Sequence, residues 1–144
     1  MGTNYYVAKN KCDCCNRYDK EYHIGKSSWG WAFTFQGYKY DNLTSWKLWK
    51  EYLREGTTPQ PLRNQEIYIV DEYGEFVDYD DFVKMIETVK SPNYVREDGH
   101  KNKTHNEEGK KDNYPHHYYM RPWFNPEYDW DDEDGYSFTT REFS

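Results

Sequence analysis

"HIGKSSWGWAF", residues 23–33, joins a histidine, a lysine and two serines to a run in which aromatic residues fall two apart. Carried on to Phe35, the run sets Trp29, Trp31, Phe33 and Phe35 at alternate positions, with Ala32, Thr34 and Gln36 among the residues between them. Side chains alternate across a strand, so this spacing predicts a half-buried strand with an aromatic inner face. Gly25 to Ser28 then reads as the turn that leads into it, a hinge with Lys26 and its serines outside the sheet. A second reading of the polar half is a ligand site in which Lys26, Ser27 and Ser28, beside Trp31, hold an anionic or aromatic ligand. Against it stands a plain hairpin turn whose hydroxyls satisfy local backbone groups. A Walker loop is excluded, because GxxxxGK[ST] requires a glycine five residues before Gly25 and Lys20 stands there.

Outward from this stretch, "TNYYV", "EIYIV" and "GYSFT" read as further strands, and "DEYG" as the hairpin after "EIYIV". Trp46, Trp49 and Leu53 share one face of a helix predicted over 44–55, with Thr44 or Asn42 as its cap and Gly56 as its stop. Phe82, Met85, Ile86 and Val89 do the same for a helix over 79–90 that Asp78 caps and Pro92 ends. The fold class predicted is α+β: a small, mostly antiparallel sheet with the two helices on one face and a knuckle-like loop at the N-terminus. Its core should contain Trp31, Phe33, Trp49, Leu53, Ile67, Ile69, Phe82 and Ile86.

The 144 residues suit a single domain over 1–144. Within it we distinguish a knuckle at 10–25, a polar mobile loop at 96–113 and an acidic, aromatic tail at 114–144. Hydrophobic residues make up only 35%, but 20% of the chain is aromatic, which separates it from disordered sequences. A core of Tyr and Trp needs partners for its O–H and N–H groups. No apolar run approaches a membrane span, and "MGTNYYVAKNK" lacks the apolar centre of a signal peptide, so a cytoplasmic location is expected. Net charge is −7, distributed as +3 over residues 1–56, −4 over 57–126 and −6 over 127–144. That balance argues against general nucleic-acid binding, and any anion must be held by a local basic site, best sought in the N-terminal third.

Three cysteines within "CDCC" cannot build a disulfide framework. Cys12 and Cys15 form a CxxC, Asn16 tolerates the backbone such a knuckle needs, and His23 follows eight residues later. Two thiolates and one imidazole are three ligands of a tetrahedral zinc, with the fourth open among Cys14, His100, His105, His116 and His117; we place it at His116. A thiol cluster without metal and a redox pair are the alternatives, the latter disfavoured because no helix opens at the CxxC. In "EYDWDDED", residues 127–134, six of eight residues are acidic, yet the register fails for a calcium loop because Trp130 and Arg141 fall on ligand positions. What remains is a solvated acidic segment, or a surface in which Tyr128, Asp129, Trp130, Asp131, Asp132 and Asp134 meet a basic partner. The adjacent His116 and His117 have no accompanying nucleophile in the sequence.

Taken together, "TNYY", the CxxC, "HIGKSS" with "GWAF", "WKLWKEYL", "DEYG" before a helix and "GYSF" with a terminal "FS" resemble a family of small bacteriophage-encoded proteins. The resemblance spans nearly the whole chain and implies a viral protein made in a host bacterial cytoplasm, with no reaction to carry over. The function expected is a non-enzymatic accessory protein that binds and inhibits a host protein, such as one of defence, through the acidic, aromatic surface. The alternatives are sequestration of a phosphorylated nucleotide by Lys26, Ser27, Ser28 and Trp31, and a metal-dependent enzyme resting on the histidines and the zinc.

Overall fold

A computed structural model describes residues 2–12, 14–15, 17–59, 65–110 and 124–141. Seven strands form one mixed sheet: β1 (Gly2–Lys9), β2 (Asp19–Ser28), β3 (Thr34–Gln36), β4 (Ile67–Asp71), β5 (Phe76–Val77), β6 (Asp129–Asp131) and β7 (Ser137–Thr139). Among the described residues three helices accompany it: α1 (Trp46–Thr57), α2 (Tyr79–Glu87) and the short α3 (His105–Gly109). The strand order is β5-β4-β1-β2-β3-β7-β6, and every neighbouring pair is antiparallel except β3 with β7. The predicted α+β class and mostly antiparallel sheet are therefore present.

Rings fill the core on the face that α1 and α2 cover. Phe35 stacks on Phe138 with centroids 4.9 Å apart, and Phe33 meets Phe82 edge-on at 5.7 Å. Each such pair contributes roughly 0.5–1.5 kcal/mol beyond area burial. The polar ends of these rings find acceptors: Trp49 Nε1 donates to the Gln36 carbonyl at 3.1 Å, Trp46 Nε1 to Glu87 at 3.0 Å, and the Tyr136 hydroxyl to the Ile86 carbonyl at 2.8 Å. Of the predicted core, Phe33, Trp49, Leu53, Ile67, Ile69, Phe82 and Ile86 are buried, whereas Trp31 is only half-buried. Asp78 caps α2 through Asp80 N, as the sequence suggests, but α1 is capped by Ser45, whose hydroxyl accepts from Leu48 N.

Three expectations are corrected. "HIGKSS" is not a turn: Lys26, Ser27 and Ser28 are the end of β2, paired with β1, and the reversal comes at Trp29 and Gly30, where φ is 81°. Trp29 and Trp31 consequently leave the aromatic face, Trp29 lying under the Arg96 guanidinium and Trp31 beside Lys103. The 96–113 segment, as far as residue 110, is packed against the fold and not an open loop. Asn102, Thr104 and Asn106 are buried, and Asn106 amide hydrogens reach the Trp130 carbonyl and Asp131. Through Asn106 and Ser137, α3 covers the second face at β6 and β7, so the helices do not all share one side. Lastly, the acidic 129–131 stretch, expected as a solvated segment or a partner surface, is strand β6, with Asp129 buried and Asp131 exposed.

Candidate functional site: the outer face of β2, β1 and β4

In β1, Tyr5 and Val7 point to the helices, which leaves Asn4, Tyr6 and Ala8 on the other face. The β1–β2 register pairs Asn4 with Lys26, Tyr6 with His23 and Ala8 with Lys20, and it shifts twice, between Tyr5 and Tyr6 and between Val7 and Ala8. Each shift inserts an extra residue into β2, Ile24 in one case and Glu21 in the other. Lys20, His23 and Lys26 stand three apart, so an unbroken strand would send His23 to the face opposite the two lysines. The two bulges bring all three to one face.

Contacts on that face are specific. His23 stacks on Tyr6 with centroids 4.9 Å apart and rings inclined by 24°. The Lys20 ammonium lies 4.4 Å from the centre of the Tyr6 ring. Glu72 accepts from Asn4 N at 2.7 Å and from the Asn4 amide nitrogen at 3.4 Å, which directs Asn4 Oδ1 to His23 Nε2 at 2.9 Å. With Oδ1 as acceptor, His23 Nε2 carries the hydrogen. Burial, and secondarily the Glu72 carboxylate, push the Tyr6 phenol up, so it stays neutral and available as a ring. At the end of β2, a Cβ on Gly2 would overlap Lys26 Cε and Ser28 Oγ, so the bare glycine lets both side chains cross β1. Gly25 plays a similar part on the core side, where a Cβ would strike the Phe33 ring and the Thr34 carbonyl.

Such a surface offers an amide, an imidazole, two ammonium groups, a hydroxyl and a stacked ring pair. A stacked ring pair with ammonium groups on the same face suits recognition of a ring and an anion. Lys26 and Ser28 of the expected ligand set belong to this face. By alternation Ser27 points to the other side, and Trp31 lies beyond the turn, bridged to Lys103. Asn4, Tyr6 and Lys20 were not singled out from sequence; the signal was the short hairpin, which must bring "TNYY" alongside "HIGKSS".

The remaining expected sites disperse. Cys12, Cys14 and Cys15 are exposed in the loop between β1 and β2. His23 pairs with Tyr6, three residues or about 10 Å along the strand from the Lys9–Asp19 pair that opens this loop. It is therefore not gathered with Cys12 and Cys15 as the knuckle required. His116, like Asn16, lies outside the described residues. Among the described residues no group of three or more His, Cys, Asp and Glu is arranged to hold a metal. In the tail, Asp129 is buried against Arg141 and accepts from Asn125 N, and Asp132 accepts from Trp46 N, Asp134 N and Tyr136 N. Trp130 stacks on Phe138 and donates to the Thr44 carbonyl. Tyr128, Asp131 and Asp134 are the exposed members of that set.

Comparison with protein-family models, with curated proteins and with solved structures finds no match to this chain. No helix among the described residues is long and apolar enough to cross a membrane.

Proposed function

We propose that this protein is a non-enzymatic binding module that takes a phosphorylated nucleotide on the outer face of β1 and β2. The observation that carries this reading is the double bulge, which brings Lys20, His23 and Lys26 to the face that carries Tyr6, the first two against its ring and Lys26 over Gly2. A base stacks on the Tyr6–His23 pair beside Lys20, and Lys26 with Ser28, at the Gly2 end of the face, receives the phosphate. In the infected bacterial cytoplasm that the sequence resemblance implies, such a module would act by sequestering a nucleotide signal. Calorimetric titration with thymidine monophosphate and with thymidine tests it. The phosphate should contribute most of the affinity, and Lys26→Met should weaken the monophosphate by about tenfold while leaving the nucleoside unchanged. Equal binding of nucleoside and monophosphate overturns the reading.

A second reading keeps the expected inhibition of a host protein by the acidic, aromatic tail. It is favoured by the exposure of Tyr128, which is 42% accessible, beside Asp131 and Asp134. Because Asp129 and Asp132 are occupied within the fold, the recognition surface reduces to those three residues. Salt-sensitive loss of host inhibition in Asp131→Asn/Asp134→Asn supports it, and unchanged inhibition removes it.

A further inference from the structure

The aromatic and basic character of the outer face does not end at Tyr6. Ala8 pairs with Tyr68 and Val70 with Phe76, so the same face continues across β4 to β5. There Tyr68 and Phe76 meet at 5.5 Å, Tyr18 closes on Phe76 at 5.6 Å, and the Lys11 ammonium lies 5.1 Å from Tyr68 and 5.5 Å from Phe76. Two ring clusters, each with a lysine over it, thus stand on one surface, separated by the strand spacing between β1 and β5, about 10 Å. The acidic segment is as far away as the sheet allows, because β5 and β6 are its opposite edges. A chain of net charge −7 therefore presents one face whose lysines, Lys11, Lys20 and Lys26, outnumber its acid Glu72, which accepts from Asn4.

We infer that this face binds a single-stranded nucleic acid laid across β2, β1, β4 and β5. The inference rests on the nucleotide reading above and extends it from one nucleotide to a strand. One base stacks on Tyr6, displacing the Lys20 ammonium towards its phosphate, and a later base stacks on Phe76 and Tyr68 beside Lys11. Rings at intervals with a lysine at each are the arrangement that single strands require, since every base has a face to stack and every linkage a charge to neutralise. A duplex, with its bases already stacked, gains nothing from the rings.

The test is a fluorescence titration of the whole protein with thymidine monophosphate, with oligothymidylates and oligouridylates of about four to ten nucleotides, and with a duplex of the same length. Oligonucleotides should bind about tenfold or more tighter than the monophosphate, with a salt slope steeper by about 0.7 for each added phosphate contact. Phe76→Ala, on the two-residue edge strand β5, should remove the gain with length and leave monophosphate affinity intact. Lys11→Met checks the same point without touching a packed ring. Monophosphate binding with no gain in length overturns the strand inference alone, whereas binding of neither overturns both readings. A length gain untouched by Phe76→Ala and Lys11→Met, or equal affinity for the duplex, also overturns the inference.

Discussion

His23 and Lys26, three residues apart in sequence, stand on the same face of β2 because Ile24 is an inserted residue opposite the Tyr5–Tyr6 step of β1. Lys26 then runs over Gly2, the residue that pairs with Ser28. Gly2→Ala should displace Lys26 without removing its charge. We expect nucleotide affinity to fall several-fold, and stability to fall by about 1–2 kcal/mol, since the added Cβ also meets Ser28 Oγ and the Ser27 carbonyl. The measurement is calorimetric titration alongside thermal unfolding. Unaltered affinity would show that the Lys26 stem does not need to cross β1.

Asp132 holds the start of α1 to the β6–β7 turn through Trp46 N at 2.8 Å, Tyr136 N at 2.8 Å and Asp134 N at 3.0 Å. Removing the carboxylate leaves the Trp46 and Tyr136 donors without this acceptor. Asp132→Ala should therefore cost about 2 kcal/mol in urea unfolding. Asp134 is exposed, and Asp134→Ala should stay within about 0.5 kcal/mol. Equal effects would mean that Asp132 does no more for the fold than its neighbour.

Legibility followed the source of each signal. Both long helices were readable because Trp46, Trp49 and Leu53, and Phe82 and Ile86, repeat with the helical period and bury the face so marked. Trp29 and Trp31 misled, because alternation continues in sequence through a turn where pairing stops, and there Trp29 stays 78% exposed beside Arg96 while Trp31 is half-buried beside Lys103. The packing of Asn102, Thr104 and Asn106 carried no apolar signal, since hydrogen bonds compensate their burial. Strand β6 was hidden by its acids, of which Asp129 is neutralised by Arg141. The site itself was half visible. "HIGKSS" drew attention, but bulges arise from pairing between strands, and a period-two reading cannot contain them.

Acid should weaken the fold in two steps. Burial pushes the His105 imidazole below its ordinary 6.5, Asp129 opposing and Arg141 reinforcing the shift. The unfolded chain then takes up this proton first, so the contribution is complete above about pH 6.5 and declines as pH falls below it. For Glu87, burial alone would raise the carboxyl, but hydrogen bonds from Lys50 and Trp46 hold it below its ordinary 4.5. Its contribution is complete above about pH 4.5 and is lost as pH falls through the lower folded value. Asp132 runs the other way: burial lifts its carboxyl above 3.8 despite the backbone donors, so its contribution is largest in acid and fades as pH rises through the lifted value. Urea unfolding across pH should show the first decline absent in His105→Gln and the second reduced in Glu87→Gln. A profile identical to the native one in both variants contradicts these assignments.

The hairpin loop and the sheet face should separate in any metal measurement. Cys12 sits where Cys12 N donates to the Arg17 carbonyl at 2.7 Å, and its thiol is lowered by the backbone N–H groups of Cys14 and then Cys15, with their thiols adding to the effect. Thiolate is the form that ligates zinc, so any zinc retained on purification without chelator should depend on this loop. His23, by contrast, is committed to Asn4 and Tyr6 on the strand. We expect Cys12→Ser to reduce zinc content in elemental analysis, and His23→Ala to leave it unchanged while weakening nucleotide binding by about tenfold through loss of the stacked pair. Zinc lost in His23→Ala, with nucleotide affinity preserved, would mean that the imidazole serves the loop instead of the sheet, and would remove His23 from the binding face.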